Sequence, residues 1–359
     1  MKNILYITES NLKAKYPNGG EIVSINNLKI LKYLSSYNII TYSLYATPTP
    51  IRKLKKLIYG IYGYYYPINK KLIKDLIDII IEKKISYVYI DNSKLGLISY
   101  FIKNHFKSKI KVITYFHNNE VSYFKDKNKK SILKKIILHS IKKSQDQALN
   151  TSDSCFFISK DEMDELSKHI DRDYVIPIYI KDNFDENITS HKNEEDYLLF
   201  LGSLFFPNIE AVRWLKKYVM PYVPYNLLIV GKNFENMKNE LEAKNIHVIG
   251  SVEKTGQYIK NANIILSPIF SGAGLKVKIA ESLMYGKKII ANDFALTGYN
   301  KTEIKNFVLI SNDAQSFIQN INENFLISKK YYPEIRNYFT NNYSKESILK
   351  KMGDILEKI

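Results

Sequence analysis

The 359-residue chain is short of the features that mark several large functional classes. It has a single cysteine, Cys155, so no internal disulfide can form and a reducing cytoplasm is the simplest home. Cys155 lies in the apolar run Ser154-Cys-Phe-Phe-Ile158, which reads as a buried strand with a core thiol rather than a nucleophile. No apolar run reaches the roughly eighteen residues that a membrane-spanning helix needs. The start, Met1-Lys-Asn-Ile-Leu-Tyr-Ile-Thr8, enters a strand pattern too quickly for a signal peptide. No Gly-x-Gly-x-x-Gly follows that strand, which argues against a dinucleotide oxidoreductase. The six histidines show no metal-ligand spacing. Zinc-ligand sets, an RNA-binding sheet signature and a helix-turn-helix are also absent, so no nucleic-acid partner is expected. There is no repeat of fixed period and no low-complexity segment.

What is present suits a two-domain α/β protein. The length exceeds what one core usually supports, and 45% apolar residues suffice for ordinary cores. Strand-like runs at Ile4–Ile7, Ile39–Tyr45, Tyr87–Ile90, Val112–Tyr115 and Ser154–Ile158 alternate with helical patterns. Such alternation predicts a parallel sheet covered by helices. The stretch Lys181–Asp196 lacks an apolar period and reads as a linker. Domains are therefore expected at 1–185 and 195–330, followed by helices over 331–359, with Asn341-Asn-Tyr-Ser344 as a break before the last one.

The most informative segment is Ser271 to Gly286, SGAGLKVKIAESLMYG. It follows the apolar run Asn263-Ile-Ile-Leu-Ser-Pro268 and precedes Lys288-Ile-Ile-Ala291, giving the order strand, loop, helix, strand. Glycines at the loop and free N–H groups of the next helical turn make an anion site, and phosphate is its natural occupant. On the helix, Ile279, Ala280 and Leu283 form the apolar stripe, while Lys278, Glu281, Ser282 and Tyr285 share another face that can hold a ligand. The plainer reading is an i,i+3 ion pair of Lys278 and Glu281 on a solvated helix.

This segment resembles the retaining, nucleotide-sugar-dependent GT-B glycosyltransferases of bacteria (group 1, family 4 type). Their motif Gly-Ala-Gly-apolar-Lys-x-Lys-x-x-Glu-Ala/Ser-apolar-x-x-Gly-Lys is matched by Gly272-Ala-Gly-Leu-Lys276-Val-Lys278-Ile-Ala-Glu281-Ser-Leu-Met-Tyr-Gly286-Lys287. The resemblance extends in order to Tyr197-Leu-Leu-Phe-Leu-Gly202-Ser203, to Pro207–Trp214, to Asn226-Leu-Leu-Ile-Val-Gly231 and to Ile246-His-Val-Ile-Gly250-Ser251-Val252. It implies two Rossmann-like domains facing a cleft, with the last helix crossing back to the first domain. It also implies a donor site formed by Gly202, Ser251, Val252, Gly272, Ala273, Gly274, Leu275, Lys276, Lys278 and Glu281. In it the loop and lysines face the diphosphate and Glu281 faces the ribose. Many relatives carry a second Glu where this chain has Ala273, so a carboxylate contact to the donor sugar is not implied.

In the first half, Asn18-Gly19-Gly20-Glu21 opens the periodic helix Ile22–Leu34, either as a ligand-approach turn or simply as a tight turn. In the resembled family a Gly-Gly pair there borders the donor and acceptor pocket, which adds Gly19 and Gly20 to the donor-binding set. His117 follows the strand Val112–Tyr115, where side chains of open α/β sheets face the ligand crevice. Relatives place a His there near the donor sugar. His117 is thus a candidate catalytic residue, and Glu120 could orient it or act on the acceptor.

Charge is uneven. Residues 1–150 carry 27 Lys and Arg against 9 Asp and Glu, a net of +18, within a total of +17. Ile51-Arg-Lys-Leu-Lys-Lys-Leu-Ile-Tyr59, with the tyrosines to Tyr66, and Lys125–Ile137 combine lysines with apolar residues, the chemistry of an anionic membrane surface. A solvated surface in which Lys and Tyr are merely frequent is the alternative.

The expected function is transfer of a sugar from a nucleoside diphosphate sugar to a hydroxyl of a lipid-linked surface polysaccharide or lipopolysaccharide, with retention. The protein would be cytoplasmic and peripheral on the inner face of the membrane. Neither a cofactor nor a metal is expected, since lysines can neutralise the diphosphate and no Asp-x-Asp pair occurs in a suitable loop. A nucleotide-sugar epimerase of the same architecture and a non-catalytic sugar-nucleotide-binding subunit are the alternatives. Against the epimerase, no dense set of His and acid groups suited to proton removal is visible.

Overall fold

A computed structural model describes residues 1–15, 19–47, 49–126, 132–169, 171–185, 196–272, 275–328 and 331–359. The chain forms two compact units, one of Met1–Tyr179 with Lys345–Ile359 and one of Ile180–Ser344.

The first unit begins β1 (Lys2–Thr8), α1 (Gly19–Tyr33), β2 (Tyr37–Ser43), α2 (Pro50–Ile61), α3 (Lys70–Glu82), β3 (Ile85–Ile90) and α4 (Leu97–Phe106). It continues β4 (Lys111–Phe116), α5 (Glu120–Asp126), α6 (Ile132–Thr151), β5 (Ser154–Phe157), α7 (Lys160–Leu166) and β6 (Tyr174–Val175). Its six strands are parallel in the order β2-β1-β3-β4-β5-β6. Strands covered on both faces must be apolar throughout, and Ile4–Ile7 and Val112–Phe116 are fully buried. Cys155, in β5, is buried too, and burial pushes its thiol well up, as befits a core residue.

The second unit runs β7 (Tyr197–Leu201), α8 (Phe206–Tyr218), β8 (Asn226–Val230), α9 (Lys238–Leu241), β9 (Ile246–Gly250), α10 (Gly256–Asn261) and β10 (Ile264–Ser267). There follow α11 (Val277–Met284), β11 (Lys288–Ala291), α12 (Lys301–Ile304), β12 (Val308–Ile310), α13 (Ala314–Asn324) and α14 (Pro333–Tyr343). The sheet order β12-β11-β10-β7-β8-β9 is again parallel. The last helix, α15 (Lys345–Lys358), belongs to the first unit, where it packs on α1.

Three details differ from the expectations. β2 lies two residues earlier than expected, because β1 ends at Thr8, whose carbonyl takes the Leu44 N–H at 2.7 Å, and the sheet partner runs out. The change of unit falls between Tyr179 and Ile180, ahead of the polar stretch expected to be the linker. Ile180 donates its N–H to the Tyr343 carbonyl, Tyr285 Oη donates to the Asn183 carbonyl at 2.8 Å, and Phe184 stacks on Tyr331. Most of the remaining stretch, 186–195, lies outside the described residues. The return falls at Ser344, so α14 stays with the second unit. Among the described residues no helix is long and apolar enough to cross a membrane.

Candidate functional site

In open α/β sheets the ligand crevice lies at the carboxyl ends of the strands where the chain order reverses. In the first unit that point is between β1 and β3, and a buried polar cluster occupies it. Thr8 ends β1, Asp91 follows β3 and His117 follows β4. The Asp91 carboxylate accepts from Thr8 Oγ1 at 3.0 Å and from Asn27 Nδ2 at 3.0 Å, and His117 Nε2 lies 3.3 Å from its Oδ1. Both side chains are almost wholly enclosed. Burial works to raise the Asp91 carboxyl, but His117 and the hydroxyl and amide donors around it outweigh burial and hold it below the usual carboxylate range.

Asn92, next in sequence, donates to Glu120 Oε1 at 3.0 Å. The neighbouring residues Asp91 and Asn92 therefore hold the two candidate catalytic side chains, His117 and Glu120. Beside them Lys94 pairs with Glu9 at 2.8 Å, and Tyr65 Oη donates to the same carboxylate at 3.2 Å. Glu162, at the start of α7, is pushed up to about 7, first by burial and then by the charge of Glu120. Its Oε2 is buried with no hydrogen-bond partner. Sequence reasoning missed Asp91, Glu9, Lys94 and Glu162; a lone acid after an apolar run carries no signal until its strand neighbours are known.

Gly19 and Gly20 open α1 and are exposed. A Cβ on Gly19 would meet nothing in the protein, so packing does not require glycine there. Asn18 lies outside the described residues.

In the second unit the order reverses between β7 and β10, and α8 and α11 start beside that point. Gly202 follows β7, and a Cβ on Gly231 would lie 1.8 Å from the Gly202 carbonyl oxygen. The close approach of the two strand ends therefore demands glycine. Asn208 at the start of α8 donates to the Ser203 carbonyl at 2.8 Å and accepts from Lys278 Nζ at 2.6 Å. The Lys278 ammonium also sits 4.4 Å from the Phe200 ring centre. Burial, and after it the charge of Lys276, drives Lys278 down to about 7, with Glu281 opposing. Burial brings Lys276 down to about 8, and its Nζ lies 3.4 Å from the Gly272 carbonyl. Glu281 is raised, again by burial. Two lysines whose charge is disfavoured, beside the first turn of a helix, form a site that an anion would stabilise.

The helix start is fixed from below. Buried Tyr299 donates to the Lys276 carbonyl at 2.8 Å and accepts from the Ala280 N–H at 3.1 Å. Gly272 has φ +93, a left-handed conformation suited to glycine. Leu275 packs toward Gly298. Ala273 and Gly274, the middle of the motif, lie outside the described residues.

One expectation needs correction. The helix face expected to be free for a ligand is mostly packed: Ser282 is buried and bonds the Lys278 carbonyl, and Tyr285 is buried against Asn183. The reason is α14, which packs on α11, so only Lys276, Lys278 and Glu281 retain access. Ser251, after β9, gives its N–H to Glu235 Oε2 at 2.9 Å and its hydroxyl to Oε1 at 2.8 Å. Its polar groups are thus engaged by Glu235, which sequence reasoning did not pick out, while Val252 stays partly exposed beside it. Lys287, at the end of the motif, is fully buried and donates to the Ala262 carbonyl at 2.8 Å, a structural role at the end of α10.

With this geometry the chain can be set beside known proteins. It is similar to sucrose-phosphate synthase from Thermosynechococcus elongatus, at 12% identity and a TM-score of 0.67, over 100% of this chain and 99% of that one. It is similar to Anabaena Alr3699/HepE, solved in complex with UDP, at 11% identity and 0.65, over 100% of both chains. It is also similar to the lipopolysaccharide outer core galactosyltransferase WaaB, at 12% identity and 0.65, over 99% of both. The fold is GT-B: two parallel-sheet α/β domains. Residues 195–325 match the family model described as glycosyl transferases group 1. This domain, within a GT-B fold, supports a glycosyltransferase enzyme. Among curated proteins, no relative matches the chain.

Proposed function

We propose that the protein transfers a sugar, with retention, from a nucleoside diphosphate sugar to a hydroxyl of a lipid-linked bacterial surface polysaccharide or lipopolysaccharide. The observation that carries the donor is the pair Lys276 and Lys278. Their ammonium groups are held well below the usual lysine range at the head of α11, and a diphosphate would restore their charge. UDP in the Anabaena structure and the galactosyltransferase WaaB support a nucleotide-sugar donor.

In the reaction the bond from the sugar anomeric carbon to the diphosphate oxygen breaks and a bond to the acceptor oxygen forms on the same face. The acceptor proton passes to the departing phosphate oxygen or to solvent. Negative charge grows on the leaving diphosphate, so fixed cations and N–H donors there lower the barrier. Glu281 receives the ribose hydroxyls. Gly202, Gly272, Leu275 and the Ser251–Val252 turn line the same donor site. His117, oriented by Asp91, and Glu120 serve the sugar and acceptor. The net +18 of residues 1–150 favours a peripheral position on the cytoplasmic face of the membrane, where a lipid-linked acceptor is reached. No cofactor beyond the donor is required.

Incubation with a nucleotide sugar in the absence of acceptor tests the reading. Slow release of free sugar and nucleoside diphosphate is expected; interconversion of two nucleotide sugars would show an epimerase, and binding without turnover a non-catalytic subunit.

A further inference from the structure

Helix α2 turns an apolar stripe outward. Thr49 caps its start, and Gly60 lies so close to α6 that a Cβ would stand 2.9 Å from Ile136 Cγ2. On the opposite side Ile51, Leu54, Ile58 and Ile61 are 67, 57, 44 and 62% exposed. Arg52, Lys53, Lys55 and Lys56 flank them. An outward apolar stripe edged by cations is the pattern of a helix lying in a lipid headgroup layer.

Helix α3 repeats the feature. Leu72, Leu76 and Ile80 pack into the core, leaving Ile73 and Ile77 as a second stripe that ends at exposed Ile81. Ile73 and Ile77 line a cavity of ≈650 Å³ with Phe101 of α4. Tyr59 of α2 and the nearby Tyr64 line the same cavity, which places it by the C-terminal end of α2. Lys70 and Lys74, both exposed, also border it, and among the described residues no carboxylate does. An apolar cavity of this size offers water few hydrogen bonds and lies within the range of small-ligand pockets. An apolar body with cations at one edge is complementary to a hydrocarbon chain carrying a phosphate.

We propose that this cavity binds one acyl chain of an anionic membrane phospholipid, with Lys70 and Lys74 on its phosphate. The lipid is drawn from the bilayer on which the α2 stripe rests. The proposal rests on the membrane-surface part of the reading above for the source of the lipid, and not on the donor site.

The test uses the full-length protein with 1-palmitoyl-lysophosphatidylglycerol below its critical micelle concentration, 1-palmitoylglycerol as the control without phosphate, and phosphatidylglycerol vesicles. Saturable binding of one lysolipid per protein is expected. Ile77→Trp, which fills the cavity, should weaken it roughly tenfold or more. Lys70→Gln with Lys74→Gln, at solvent-exposed positions, should bring it to the level of 1-palmitoylglycerol, and decides the matter if the Trp variant does not fold. Leu54→Ser with Ile58→Ser should reduce vesicle binding and leave lysolipid binding unchanged. Vesicle binding by wild type without saturable lysolipid binding would overturn the cavity assignment alone. Failure to bind either would overturn the membrane surface too. Clear preference for farnesyl phosphate over the lysolipid would overturn the phospholipid in favour of an isoprenoid acceptor.

Discussion

Lys278 gives the sharpest expectation, because its charge depends on what occupies the site. In the free protein it titrates at about 7 instead of the ordinary 10.5, so above pH 7 it is largely neutral. A bound diphosphate favours the ammonium and returns the group toward its ordinary range. Binding then takes up a proton, and affinity must fall as pH rises. If the bound value reaches the ordinary one, uptake at pH 8 is about 0.9 proton from Lys278. Lys276, at about 8, adds up to about half a proton more. Through Lys278 alone, affinity should drop roughly 50-fold between pH 7 and pH 9. The assay is calorimetric titration with the nucleotide sugar that binds best, in buffers of different ionisation enthalpy. A nucleotide sugar is chosen because its diphosphate is esterified at both ends and does not itself titrate there. Lys278→Ala should remove most of the uptake and flatten the pH dependence. An affinity that is constant from pH 7 to 9 with no proton uptake would refute the placement of the diphosphate on Lys278.

Stability should move the opposite way. A lysine depressed in the folded state costs stability below its folded value, and the cost fades as pH rises toward 10.5. Lys278→Met should therefore raise the melting temperature of the ligand-free protein by roughly 2 to 6 °C at pH 6, with a smaller gain at pH 9; a scanning calorimetry profile with no gain at pH 6 would count against the buried charge. Glu281→Gln should raise KM for the donor while the ligand-free melting temperature stays near wild type, and a large loss of stability with normal KM would instead make Glu281 a partner of Lys278 only. Asp91→Asn should cost about 1.5 to 3 kcal/mol by weakening charge-assisted bonds to Thr8 and Asn27. Because that carboxyl lies below its ordinary value, its contribution is present above about pH 4 and fades as pH falls, so urea midpoints of wild type and variant should converge in acid. Replacing Lys53, Lys55, Lys56, Lys134 and Lys135 by Gln should weaken salt-sensitive binding to anionic vesicles without altering nucleotide affinity.

Most strands of both sheets were legible along the chain because strands covered on two faces leave near-continuous apolar runs, as at Ile4–Ile7 and Tyr197–Leu201. The loop and helix from Gly272 to Glu281 were legible because glycine, lysine and acid recur at fixed spacing within one segment. What sequence did not show depends on contacts between distant residues. Asp91 gains meaning only when β3 lies between β1 and β4, and Glu235 only when it reaches Ser251. Lys287 belonged to the quoted motif, yet its buried place beneath α10 follows from packing. The chain leaves the first unit at Tyr179, ahead of its polar stretch, because Ile180, Asn183 and Phe184 find partners on α11 and α14 that no local pattern announces. The basic segment Lys125–Ile137 could be followed only at its two ends, in α5 and from Ile132 in α6, since residues 127–131 lie outside those described.

The most direct measurement is the melting temperature of the wild-type protein and of Lys278→Ala against a panel of nucleoside diphosphate sugars. One donor should raise the wild-type melting temperature, by adding about 2.7 kcal/mol of stability at a hundredfold excess over its Kd, and Lys278→Ala should lose most of that shift at the same concentration. A panel without effect on the wild type, or an equal shift in Lys278→Ala, would contradict a nucleotide-sugar site at the head of α11.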